Sequence, residues 1–191
     1  VPPFCCYLMQ KWGWLWILLA LSSCGERKFP RPDFESVTFE TTEQAKLFFK
    51  NVRSYYYEAD AYSFPGAEIY RWRARDTDTT KCWVQPVLVI HLNAGQAFLL
   101  SERSAAAKTE ALPWLYARQA NGITDSIALE PGSMADHLAI HIRVYDAIDR
   151  GDSLYFKSPS GETTAYLTSR KARDGYHKQV RDFLRLVGNI R

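Results

Sequence analysis

The sequence predicts an α+β domain: a mainly antiparallel β-sheet with about three helices packed on one face. Two observations carry this. Strand-like runs are joined by short turn signals, Asn93-Ala94-Gly95, Asn121-Gly122 and Pro159-Ser160-Gly161, which make hairpins rather than crossovers. Around them lie three segments whose apolar residues recur at helical spacing, each opened by a hydroxyl-bearing cap. Hairpin-joined strands with separate helices are the mark of the α+β class. Composition agrees, since 47% hydrophobic and 24% charged residues in a chain of 191 are ordinary globular values. Aromatic residues make up 14%, which favours a core of large rings.

Taken in order, Glu35 to Glu40 alternates as a first strand. A helix follows, because Thr41 and Gln44 have capping-box spacing and an apolar stripe runs Ala45, Phe48, Phe49, Val52, Tyr56 and Ala59. That stripe is the expected buried face, with Lys46, Lys50 and Arg53 lying off its centre. Glu68 to Arg75 alternates again, placing Tyr70, Trp72 and Ala74 on one face and Ile69, Arg71, Arg73 and Arg75 on the other. Trp83 to Leu92 and Gln96 to Ser101 form a hairpin. Ser104 to Ala111 holds a short helix or loop. Leu112 to Arg118 pairs with Ile123 to Glu130, although a helix over residues 109–119 also fits. Ser133 caps a helix from Met134 to Arg150, and Gly151 stands just past its end. Ser153 to Lys157 and Thr163 to Thr168 make a last hairpin. Ser169 then opens a terminal helix with the stripe Ala172, Tyr176, Val180, Phe183 and Val187, stopped by Gly188. The organisation is one domain over residues 37–191, with no internal repeat.

The amino-terminal region reads differently. From Met9, Lys11 supplies a positive charge and Trp12 to Leu21 an apolar run of ten residues, which is too short to span a bilayer as a helix. Leu21-Ser22-Ser23-Cys24 then gives an aliphatic residue, two small residues and a cysteine. Residues 9–24 resemble the signal peptide and lipobox of a bacterial lipoprotein precursor. The resemblance implies cleavage that removes residues 1–23, a thioether-linked diacylglycerol on Cys24 and often a third chain on its amine. It also implies that Gly25, standing where an aspartate would retain the protein, directs it to the outer membrane. An ordinary secretory signal or an uncleaved anchor remains open. Residues 1–8 read as material upstream of the true start, and residues 24–36 as a polar, proline-containing tether. Of the four cysteines only Cys82 would remain unmodified in the mature chain, which rules out an internal disulfide there and favours burial of its thiol.

Candidate sites are few. His137 and His141, spaced i,i+4 on one helical face, have the geometry to share a metal ion, but the intervening residues lack the glutamate of zinc proteases. Two buried, hydrogen-bonded imidazoles fit the same spacing. Arg71, Arg73 and Arg75 form a guanidinium row able to bind an anionic glycan or lipid headgroup; the plain alternative is a solvated face paired with carboxylates. Cys82 as a nucleophile would need His91 as its base. Tyr55, Tyr56 and Tyr57 with Trp72, Trp83 and Trp114 could stack sugars, though phase places Tyr56 and Trp72 inward. The terminal helix carries Arg170, Lys171, Arg173, Lys178, Arg181 and Arg185, interrupted by Asp174 and Asp182. A net charge of +3 gives no case for nucleic acid. There is no nucleophile elbow, phosphate loop, zinc-protease motif or calcium loop, so no catalytic residue is assigned and no cofactor is implied. The expected role is a non-enzymatic envelope module that binds a protein or glycan partner. A metal-binding or hydrolytic protein built on the histidine pair and an accessory subunit of an envelope complex are the alternatives.

Overall fold

The computed structural model describes residues 37–64, 66–109 and 114–188. The leader, Cys24 and the tether lie outside the described residues. Within them the fold is α+β, with two four-stranded antiparallel sheets. The first sheet is a meander of β1 (Tyr57–Phe64), β2 (Ala67–Trp72), β3 (Val84–His91) and β4 (Gln96–Arg103), in that order. The second has the order β6 (Thr124–Ala128), β5 (Trp114–Arg118), β7 (Ser153–Lys157) and β8 (Thr163–Tyr166). The sequence pattern could not tell one sheet from two. Alternation fixes which side of a strand is buried, but not which strand lies beside it.

Helix α1 (Glu43–Phe48) starts at Thr42, whose hydroxyl accepts the Ala45 N–H at 3.1 Å, one residue later than the capping-box spacing suggests. It runs into a π-helical turn (Phe49–Arg53) and a 3-10 turn (Ser54–Tyr56), and β1 begins at Tyr57. This corrects the expected helix in two ways. Its last stretch to Ala59 is strand, and of its apolar stripe Phe49 is buried while Phe48, Val52 and Tyr56 face solvent. The π turn adds a residue to the repeat and rotates later side chains off the predicted line. The expected strand over residues 35–40 amounts, among the described residues, to one bridge between Glu40 and Gln96.

The remaining elements follow their signals. A short α2 (Ala105–Thr109) succeeds β4, and residues 114–118 are strand rather than helix. Ser133 caps α3 (Met134–Asp149) by accepting the Asp136 N–H, and Ser169 caps α4 (Arg170–Leu186) through Ala172. Gly188, at φ +71, closes α4 in the left-handed region, where a side chain would be strained.

A single apolar core joins both sheets to α3 and α4. Val84, Leu88 and Ile90 of β3 and Ala97 and Leu99 of β4 are its buried face in the first sheet, and α4 packs on those two strands. Leu115, Ala117, Ile127, Leu154 and Phe156 are its face in the second, covered in part by α3. The Tyr166 hydroxyl of β8 donates to the Val84 carbonyl of β3 and pins one sheet to the other. Burial pushes that phenol up in pKa. No helix among the described residues is long and apolar enough to cross a membrane.

Candidate functional site

The two histidines of α3 are brought together on β4, and their hydrogen bonds define their protonation. His141 Nε2 lies 3.0 Å from the Leu100 carbonyl, which can only accept, so Nε2 carries the proton. Nδ1 is therefore the acceptor for the Tyr176 hydroxyl of α4 at 2.6 Å. His137 Nδ1 accepts the Ser101 N–H at 2.9 Å, which puts its proton on Nε2. Together the rings hold the Leu100–Ser101 peptide of an edge strand. Burial lowers His141 to about 3 and His137 in the same direction, so both are neutral at neutral pH. A shared metal would need a free lone pair from each ring, and all three nitrogens that could offer or clear one are engaged in this network. Among the described residues no three His, Cys, Asp or Glu side chains are grouped to hold a metal.

The arginines do not form a row. Only Arg71 lies in β2, paired with Glu102 at 3.0 Å. The strand ends at Trp72, the chain turns, and alternation stops. Arg73 donates through Nε to the Tyr57 carbonyl at 2.8 Å, and Arg75 pairs with Glu58 at 2.6 Å. Each guanidinium is thus satisfied within the fold. Cys82 is buried and forms no disulfide. It precedes β3 whereas His91 ends it, a separation of about 30 Å at ~3.3 Å per strand residue, which is too far for a thiol and its base. His91 instead accepts the Ala94 N–H at its hairpin turn, and His177 stacks on Tyr145 with ring centroids 4.0 Å apart.

What sequence reasoning missed is a cleft of about 530 Å³, between the loop after β2 and the approach to α4. One wall is the loop from Trp72 to Trp83. Asp78 organises it by accepting from Thr80 through both backbone N–H and hydroxyl and by pairing with Lys81 at 3.1 Å. The Thr80 hydroxyl, its N–H and Lys81 together hold the Asp78 carboxyl down near 2. The Trp83 indole N–H donates to the Asp78 carbonyl at 3.1 Å, so the ring that lines the cleft is fixed. The opposite wall runs from Thr164 through Tyr166 and Ser169 to Ala172, Tyr176 and Gln179.

Two irregularities line this cleft and a third stands behind one of its rings. Leu167 adopts φ +49, the one non-glycine residue in the left-handed region among the described residues. For a leucine this costs on the order of 1–2 kcal/mol. Arg173 holds it there by donating to its carbonyl at 2.8 Å while its other arm reaches the Asp152 carbonyl. Gln85 spends its amide N–H on the Asp76 carbonyl at 3.1 Å and leaves Oε1 buried without a partner, a cost of about 1–3 kcal/mol in a folded protein. Gly175 is the third: a Cβ there would meet the Trp72 indole nitrogen at 3.0 Å, so the ring lies flush against α4 only because the position is bare. The volume is that of a small-molecule site. Its surface mixes the rings of Trp72, Trp83 and Tyr166 with amide and hydroxyl groups, and Lys171 at its rim has no ion pair among the described residues, while Arg75 pairs with Glu58 and Lys81 with Asp76. The sequence held one hint of the cleft, the polar run Asp76 to Lys81 between two tryptophans, but nothing in it placed that run beside Ser169. No protein-family model matches the chain, and comparison with curated proteins and with solved structures gives no match either.

Proposed function

We propose that this chain is a lipid-anchored envelope protein whose folded domain is a binding module, not an enzyme, with its ligand site in the cleft between the β2–β3 loop and α4. The observation that carries the reading is the convergence of Leu167 and Gln85 on one cavity, with Gly175 behind the Trp72 ring that lines it. Strain, an unsatisfied acceptor and a bare helix position each oppose stability, and folds retain such features together where a site needs them. The chemistry of the walls selects a compact polar molecule with one apolar face. The indoles supply flat contact, Ser169 and the glutamines supply hydrogen bonds, and Lys171 can take a single negative charge. Attachment at the membrane comes from the lipobox-like Leu21-Ser22-Ser23-Cys24 and is supported by the sequence alone.

The test is thermal unfolding of the full chain against a panel of small hydroxylated and amide-bearing compounds, run beside Ala172→Trp, which fills the cleft from α4. A ligand at a hundred times its Kd stabilises by about 2.7 kcal/mol, roughly 5–10 °C for a domain of this size. Stabilisation of the parent and not of the filled variant is expected. An equal shift in both proteins, or no shift with any compound, would remove the cleft as the site.

A further inference from the structure

Among the described residues nine large apolar side chains are exposed, and five of them lie within one ten-residue segment: Leu47, Phe48, Val52, Tyr55 and Tyr56. The other four sit apart on other elements. They lie at positions 47, 48, 52, 55 and 56 along α1 and its π and 3-10 turns and form one exposed apolar stripe of the chain. The opposite side of the same helix carries Phe49, which is 1% exposed and packs edge-on against Tyr70. The domain therefore buries the inner face of this helix and leaves the outer one in solvent, where Tyr56 stacks on Trp72 and Tyr55 meets Tyr56 edge-on. A solvated helix face is normally charged, and a clustered apolar patch marks a surface that is covered in use.

The charges nearby say what covers it. Lys50 is paired with Glu68 at 2.9 Å and Arg53 with Asp182 at 2.8 Å, while Lys46 is paired with Glu43. The guanidinium of Arg53 stands over the Tyr56 ring. The guanidinium of Arg73 likewise stands over the Tyr55 ring, so the stripe is apolar and aromatic with cations at its edge, which suits the headgroup–acyl boundary of a bilayer, where rings with a polar tip collect. Position in the chain points the same way. Thirteen residue steps separate Cys24 from Val37, where the described fold begins, a contour of at most about 45 Å, and α1 is the first helix of the domain. A domain on so short a lead meets its own membrane at high effective concentration.

We infer that the Leu47–Tyr56 stripe rests in the interface of the membrane that holds the N-terminus, fixing one orientation of the domain on it. The inference takes attachment at the membrane from the proposed function and adds the face that docks. Docking of this face is driven by apolar burial.

The experiment uses the full chain bound to phosphatidylcholine vesicles whose acyl chains carry nitroxide quenchers. An environment-sensitive fluorescent residue replaces Val52 in one sample and the exposed Ile123 in another. Quenching severalfold stronger at position 52, abolished by adding Phe48→Glu and Tyr55→Glu, is the expected result; unchanged thermal unfolding shows that the variants fold. Equal, weak quenching at both positions on vesicle-bound protein overturns the docking face and leaves the anchor standing. Intact mass reports the anchor separately. A chain without acyl groups that still sediments with vesicles and is quenched at position 52 keeps the docking face and removes the acyl anchor. One that neither carries lipid nor sediments overturns both. A label already shielded before vesicles are added, on a particle of doubled mass, assigns the stripe to a second copy of the chain and overturns membrane docking.

Discussion

His141 shows how one side chain ties pH to stability. Folded, it stays neutral down to about pH 3 because burial penalises the imidazolium; unfolded, its imidazole protonates near 6.5. Between those values the unfolded chain binds more protons, so stability falls as pH drops through that window. The slope approaches about 1.4 kcal/mol per pH unit once the unfolded imidazole is largely charged. His141→Gln removes the titration. The expected outcome is that the parent is the more stable at pH 7 by urea unfolding and that its advantage over the variant shrinks steadily toward pH 4. A constant difference would mean that His141 is not the buried neutral ring described. The sequence placed His137 and His141 on one face but could not choose between metal and hydrogen bonds, because the partners Ser101, Leu100 and Tyr176 come from remote elements. Asp182 was similarly opaque. It reads as a break in a basic run, yet its buried carboxylate takes both the Arg53 guanidinium and the Tyr57 hydroxyl, each at 2.8 Å.

Elements were legible where the local signal and the tertiary context agree. The caps at Ser133 and Ser169, the hairpin turns and the stripe of α4 are local facts, and the fold uses them as they stand. Helix α1 is where they part. Its stripe reads as core, but the π turn at residues 49–53 and the early start of β1 leave the middle and end of that stripe in solvent. Burial there predicts a sharp contrast between neighbours. Phe49→Ala should cost about 3–5 kcal/mol, as for other large-to-small core changes, whereas Phe48→Ala should stay within about 0.5 kcal/mol, as surface changes do. Denaturant midpoints of the two variants check this, and comparable losses would place both rings in the core. The arginine row failed for the related reason that alternation was extrapolated past Trp72, where the strand gives way to the loop that walls the cleft.

At the scale of the whole molecule, the α+β class follows from counting hairpins and helical stripes. The division into two sheets, their pinning by Tyr166, and the cavity beside that pin depend on contacts between segments some 80 residues apart, which no window of sequence reports. On the two proposals, the cleft would take a small polar ligand and the stripe a membrane, the two surfaces meeting where Trp72 of the cleft wall stacks on Tyr56. Both proposals take their setting from attachment by fatty acyl chains, and that is the claim to measure first. Protein extracted from its own membranes and digested for mass spectrometry should yield an N-terminal peptide that begins at Cys24 and carries a diacylglycerol thioether, with no peptide from residues 1–23. A peptide running through an unmodified Cys24, with the leader still attached, would contradict the account.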